Sequence, residues 1–300
     1  MVRIFKTCVE HRLKPALAYH SIQNAGLLDT NRRVCEIQFS QLMSFTGASL
    51  FATPEASRNY FAVRRNRNRR RGLDHSRCFR GAPQLHTWEL QVESSQIVIY
   101  GRYDTRQIVR DFAVDAIDLI MEAQIPVVWA LRLPNSEATF SAEDVLKYLV
   151  SQILRLNHTL LNERSAALNV ARFQSATTME HWFSLLGTVL EGLTRVFLII
   201  DLGLLHNETG VPLAWAQLFE QFFAELRKRG VRTVLKVAYL VTRSNQREHL
   251  GELDQQKILH FPEKRKSGRV TKPREMTRSR KSRTKELGRL FKHSTYKSNM

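Results

Sequence analysis

Between residues 95 and 241, short apolar runs alternate with longer segments whose hydrophobic residues recur at helical spacing, and this alternation restricts the fold more than any other property of the chain. A strand buried on both faces reads as an unbroken apolar run rich in β-branched residues. Four segments have that form: 96–100 (QIVIY), 125–132 (IPVVWALR), 195–201 (RVFLIID) and 233–241 (TVLKVAYLV). Over 106–123, Ile108, Phe112, Ala116 and Met121 fall near one helical face, with Val109, Ala113, Ile117 and Ile120 beside them. Asp111, Asp115, Asp118 and Glu122 form an acidic stripe on the same segment. Ser141 with Glu143 and Asp144 reads as a helix start, carried on by Val145, Leu149, Ile153 and Leu156. A further helix is predicted over 179–192. Pro212 opens another, in which Trp215, Leu218, Phe219, Phe222, Phe223 and Leu226 share a face, and Gly230 closes it.

Strands alternating with amphipathic helices predict a three-layer α/β sandwich around a mostly parallel sheet, with right-handed crossovers. Ligands bind such sheets at the carboxyl ends of the strands. A site in this chain is therefore expected in the loops 100–106, 131–135, 201–205 and 242–245.

Charge divides the rest of the chain. Residues 58–80 hold nine Arg and one acid, and residues 262–300 hold 14 Lys and Arg against three acids; the remainder carries a net of −1 out of a total of +18. The body is thus nearly neutral, and the basic excess belongs to two stretches poor in apolar residues. Such stretches repel themselves and are expected to stay mobile unless an anionic partner orders them. Four parts are predicted: a mainly helical extension over 1–57, an Arg-rich linker over 58–94, the α/β domain over 95–250 and a flexible basic tail over 251–300. The first twenty residues lack the apolar run of a secretory signal, and no apolar window approaches the length that spans a bilayer. Three cysteines at long spacing suggest no disulfide framework. An intracellular protein, cytoplasmic or nuclear, without membrane contact, is the expectation.

The order of elements resembles the core of the signalling P-loop NTPases of the NACHT/STAND class, particularly the large fungal set, over roughly residues 95–245. In that class the first strand leads into Walker A, the third carries Walker B, and the fourth reads like LKILVTSR. Here the fourth reads LKVAYLVTRS over 235–244, ending in Thr242, Arg243 and Ser244. The resemblance implies a P-loop NTPase-like skeleton whose nucleotide site lies at Gly101, Arg102, Thr105, Arg106, Asp201 and Arg243. The chemistry does not follow it. Walker A needs G-x-x-x-x-G-K-S/T, because glycines let backbone N–H groups reach the phosphates, Lys reaches the β/γ oxygens, and the hydroxyl holds Mg²⁺. At the matching place Arg106, Gln107 and Ile108 stand for the second Gly, the Lys and the hydroxyl. Arg106 cannot adopt positive φ as cheaply as Gly. The Walker B strand keeps Asp201, but Leu204 and Leu205 occupy the places of the acids that follow it. Without these groups the electrostatic stabilisation of phosphoryl transfer is missing, and NTP hydrolysis is not expected. Arg102 and Arg106 could supply compensating charge beside a helix N-terminus, so weak ATP or GTP binding is the most the site is expected to offer. For Asp201 a purely structural role in a turn is the plainer alternative.

Two other features bear on partners. The arm residues Arg64, Arg65, Arg69, Arg70 and Arg71, with Tyr60 and Phe61 beside them, suit phosphates and stacked bases. The plainer alternatives are a solvated linker, or an arm resting on the acidic stripe of 111–122. In the tail, Lys264, Arg265, Lys266 and then Arg280, Lys281, Arg283 form clusters of the kind read by import receptors or by RNA, with serines between them open to phosphorylation. His75, Cys78 and His86 do not complete a metal-ligand set. Trp129, Trp182 and Trp215 read as core. The function predicted is a non-catalytic scaffold or regulatory module with protein partners. The alternative is a nuclear nucleic-acid-associated protein that uses the two basic arms, 58–80 and 262–300.

Overall fold

The computed structural model describes residues 2–47, 52–70, 82–134, 140–157, 168, 170–205, 211–242 and 257–260. The chain divides into two compact units, one of residues 1–48 with 158–176 and one of residues 49–157 with 177–300. The first unit holds a 46-residue helix α1 (Val2–Gly47). The second holds α2 (Pro54–Arg70), α3 (Pro83–Leu90), β1 (Ser95–Tyr100), α4 (Arg106–Glu122), β2 (Val127–Ala130) and α5 (Ala142–Leu156). A short α6 (Val170–Gln174) returns to the first unit and packs on α1. The second unit resumes with α7 (Met179–Leu190), β3 (Arg195–Asp201), α8 (Val211–Lys228), β4 (Val234–Val241) and β5 (Ile258–His260).

In the second unit all five strands are parallel, in the order β2-β3-β4-β1-β5. Alternate residues of each strand feed two different cores. Ile97, Ile99, Val127, Trp129, Phe197, Ile199, Ala238 and Leu240 pack against Phe61 of α2, Trp88 of α3 and the Val109, Phe112, Ala113 and Ile117 side of α4. On the other face Phe219 of α8 lies 5.9 Å from the Tyr239 ring, and α7 packs on α5. Helices therefore cover both faces, as buried parallel strands require. The Ser141 hydroxyl accepts from the Asp144 amide while the Asp144 carboxylate accepts from the Ser141 amide, a complete capping box that starts α5 where the sequence placed it.

Three features differ from the sequence reading. β2 is only four residues long: it starts after Pro126, which has no N–H for a ladder, and ends before Arg132, whose amide donates to Asp201 Oδ2. β5 lies in the stretch assigned to the tail, yet pairs Val98–Tyr100 of β1 with Ile258–His260. Residues 54–70, taken in part as a mobile arm, are the helix α2. Its Phe61 is fully buried, and Pro54 starts it at a position that needs no N–H partner.

The order of α2 comes from α4. Arg65 Nη1 donates to Asp115 Oδ1 (2.8 Å) and Asp118 Oδ2 (2.7 Å), Arg69 Nη2 to both oxygens of Asp115 (2.7 and 2.6 Å), and Arg58 Nε to Asp118 Oδ1 (2.7 Å). Asn68 Nδ2 donates to Asp111 Oδ2 at 3.1 Å. The acidic stripe is thus covered by the arm rather than by water, with Asp111 and Asp115 buried, whereas Glu122 remains exposed. Desolvation raises the Asp111 pKa above its ordinary value, although Asn68 and Arg64 pull the other way.

Candidate functional site

The strand order sets β3, β4 and β1 side by side, so their carboxyl ends lie together at one end of the sheet. β1 hands the chain to α4 on one face, and β3 hands it to α8 on the other. That reversal is where open α/β sheets bind ligands. Gly101, Thr105, Asp201 and Thr242 all stand at this end.

At the β1 end the loop is closed on itself. Gly101 N–H donates to Val241 O at 2.8 Å, which extends the β1–β4 ladder by one bond. A single turn, Tyr103–Thr105, then leads into α4. Thr105 is fully buried, and both its amide and its hydroxyl donate to Arg102 O at 3.0 Å. A Cβ on Gly101 would collide with Val109 Cγ2. Glycine is needed there because the first turn of α4 sits directly on the loop. Arg102 is exposed and Arg106 half-buried.

At the β3 end Asp201 is fully buried. Its Oδ1 accepts from Gly203 N–H at 2.9 Å, which fixes the turn Leu202–Leu204. A Cβ on Gly203 would stand 2.8 Å from that same oxygen, so glycine lets the turn tighten. Oδ2 faces the Arg110 guanidinium, with Nε and Nη2 both at 3.4 Å, and the Arg132 amide at 3.3 Å. Arg132 Nη1 donates to Gly203 O at 2.6 Å. Arg110 is itself buried, and its guanidinium carbon lies 5.5 Å from the centre of the Phe61 ring. Leu204 and Leu205 are buried, and Phe140 N–H donates to Leu204 O at 3.0 Å.

The sequence-predicted residues therefore meet only in part. Gly101, Thr105 and Asp201 share one end of the sheet. Arg243, Arg71, Lys264, Arg265, Lys266, Arg280, Lys281 and Arg283 lie outside the described residues, as do His75 and Cys78. Among the described residues no group of His, Cys, Asp and Glu is placed to hold a metal ion, and no helix is long and apolar enough to cross a membrane.

Sequence reasoning missed Arg110 and Arg132. The signal for Arg110 was its setting: α4 is apolar on more than one side, with Ile108, Val109, Phe112, Ala113 and Val114 around it. An arginine in a helix covered on two faces needs a buried acceptor. Lys236 was missed too. It stands inside β4 with no exposed surface, and its Nζ shares its N–H groups among four oxygens, Trp88 O (3.0 Å), Gln91 O (2.6 Å), Glu93 O (2.9 Å) and Ser95 Oγ (2.8 Å). The ammonium thereby satisfies carbonyls at and beyond the C-terminus of α3.

No protein-family model, curated protein or solved structure matches the chain.

Proposed function

We propose that this chain is a non-catalytic scaffold or regulatory binding module, built on a P-loop NTPase-like skeleton whose phosphate end is filled by the protein's own groups. The observation that carries the reading is the occupancy of Asp201. An acid that would serve a magnesium–nucleotide complex instead accepts from Gly203 and faces Arg110 and the Arg132 amide. The loop after β1 supports the same reading. The Gly101 amide serves the sheet ladder, the Thr105 hydroxyl serves Arg102 O, and the apolar Val109 stands over the glycine. A cradle for phosphate needs backbone N–H groups turned toward an open space.

Thermal-shift titration with ATP or GTP and Mg²⁺ tests this reading. A ligand bound with micromolar affinity would stabilise the folded chain by about 4 kcal/mol at millimolar concentration. The expected result is an unchanged midpoint with either nucleotide, together with phosphate release at the buffer background. A midpoint that climbs with nucleotide, or turnover that Asp201→Asn abolishes, contradicts it.

A further inference from the structure

The pairing of α2 with α4 splits the arginines of one helix into two sets. Arg58, Arg65 and Arg69 turn inward and are spent on Asp115 and Asp118. Arg64, Arg67 and Arg70 follow at intervals of three residues; Arg67 and Arg70 are exposed, and Arg64, half-buried, stands at the edge of the α4 interface near Asp111. One turn before Arg64 stands Tyr60, 43% exposed, its ring held edge-on by the buried Phe61 at 5.2 Å between centroids. Val63 beside it is 63% exposed. Residues three and four apart neighbour each other on a helix surface, so Tyr60, Arg64, Arg67 and Arg70 form one continuous strip. At a rise of about 1.5 Å per residue, the three arginines are spaced by roughly 4.5 Å along the axis.

We infer that this outer strip of α2 is a binding surface for single-stranded nucleic acid, with Arg64, Arg67 and Arg70 on successive phosphates and Tyr60 stacked on a base. Charge complementarity identifies the occupant. The strip itself carries three guanidinium groups and no acid; Asp115 and Asp118 of α4 are engaged by the inner arginines, and of the strip only Arg64, at its edge, feels an α4 carboxylate, Asp111. A partly exposed aromatic ring next to cationic side chains is a stacking platform that suits unpaired bases. Docking on α4 also holds the strip rigid, so less side-chain and backbone entropy is lost on binding than a mobile arm would lose. The inference is independent of the nucleotide site and stands whether or not that site is closed.

Fluorescence anisotropy of the full chain with a labelled single-stranded oligonucleotide of mixed sequence, at salt concentrations from about 50 to 200 mM, tests it. Comparing variants within the full chain cancels whatever the basic tail contributes. The triple variant Arg64→Gln, Arg67→Gln, Arg70→Gln keeps every ion pair of Arg58, Arg65 and Arg69 with α4 and gives up only the attraction of Arg64 for Asp111; its thermal midpoint checks that it remains folded. Its plot of log affinity against log salt is expected to be shallower than the wild-type plot by about 2, since each phosphate contact on a single strand contributes about 0.7. Tyr60→Ala is expected to weaken binding at least five-fold at every salt concentration with no change of slope. Absence of wild-type binding at low salt overturns the proposal, as does a triple variant with the wild-type slope. A strip effect seen only with duplex of the same sequence overturns the assignment to single strands.

Discussion

The guanidinium of Arg110 and the carboxylate of Asp201 are 91 residues apart in sequence and face each other at 3.4 Å in the buried end of the sheet. Arg110 comes from the helix after β1, and Asp201 closes β3. The pair therefore ties together the two segments between which a ligand of such a sheet would enter. Both groups are buried, so each depends on the other for compensation.

Removing either partner leaves a buried charge without its counterpart. Losses of about 3–5 kcal/mol accompany such changes, and the long separation here places Arg110→Met and Asp201→Asn near the lower end of that range. Urea denaturation of the two single variants and the double variant measures the coupling. The double variant is expected to lose clearly less than the sum of the singles. Strict additivity would mean that the two charges do not support each other.

Gly101 gives a second test of the closed loop. A methyl group at this position meets Val109 Cγ2 and approaches Thr105 Oγ1 to 3.1 Å. Gly101→Ala is expected to destabilise the fold by about 1–3 kcal/mol through overpacking. Val109→Ala introduced into that variant frees the space and should return part of the loss. Thermal midpoints of the two variants decide the matter: no recovery means that α4 does not press on the loop.

The α/β core was legible because its signals are local. The strand β3 coincides with its apolar run, and Ser141 and Asp144 cap α5 as their spacing indicates. At the end at Gly101 the sequence shows Arg106, Gln107 and Ile108 where a phosphate loop would need glycine, lysine and hydroxyl. What fills that end was not legible, since Arg110 and Asp201 are brought together only by the crossing of β1 and β3 to one end of the sheet. β5 escaped for another reason. Three residues, Ile258–His260, carry too short an apolar pattern to read as a strand, and only the open edge of β1 makes them one. The arm at 58–70 misled because its composition is that of a solvated segment. Its order depends on Asp115 and Asp118, about 50 residues away; an arm resting on the acidic stripe was one of the readings the sequence allowed, and it is the one the structure takes, but nothing local to the arm selects it over a solvated linker.

The inner arginines of α2 differ in worth. Arg65 is 8% exposed and bridges two carboxylates, of which Asp115 is 5% exposed. Arg65→Met leaves Asp115 to Arg69 and Asp118 to Arg58, with a loss of about 3 kcal/mol expected for removing the buried member of the network. The Arg58 side chain is 30% exposed, and its pair with Asp118 is partly shared with Arg65. Arg58→Met is expected to lose about 1 kcal/mol or less. Urea midpoints rank the two, and limited proteolysis between residues 52 and 82 reports release of the helix. Equal losses would mean that burial does not govern the docking.

Lys236 makes stability depend on pH in a direction that can be worked out. Desolvation and the like charge of Arg195 push its pKa down from 10.5 to about 7, while Glu89 pulls it up. An unfolded chain with its lysine near 10.5 then binds more protons than the folded chain across the interval between the two values. Stability rises with pH wherever the unfolded state holds the extra proton, so unfolding free energy should climb from pH 7 toward pH 10. Tyr239 and Tyr148 bound the climb from above. Burial raises both beyond their ordinary 10.0, so the folded chain keeps protons that the unfolded chain releases, and stability falls once pH passes that value. Urea denaturation at intervals of pH should show a maximum on the alkaline side. In Lys236→Met the rise between pH 7 and 10 should disappear. That variant also leaves Trp88 O, Gln91 O and Glu93 O without their shared donor, so its stability should be lower at pH 10, where the wild-type lysine is neutral but still hydrogen-bonded. A wild-type curve that is flat or falling over the interval would show that the oxygens around Nζ hold the ammonium well enough to cancel its desolvation.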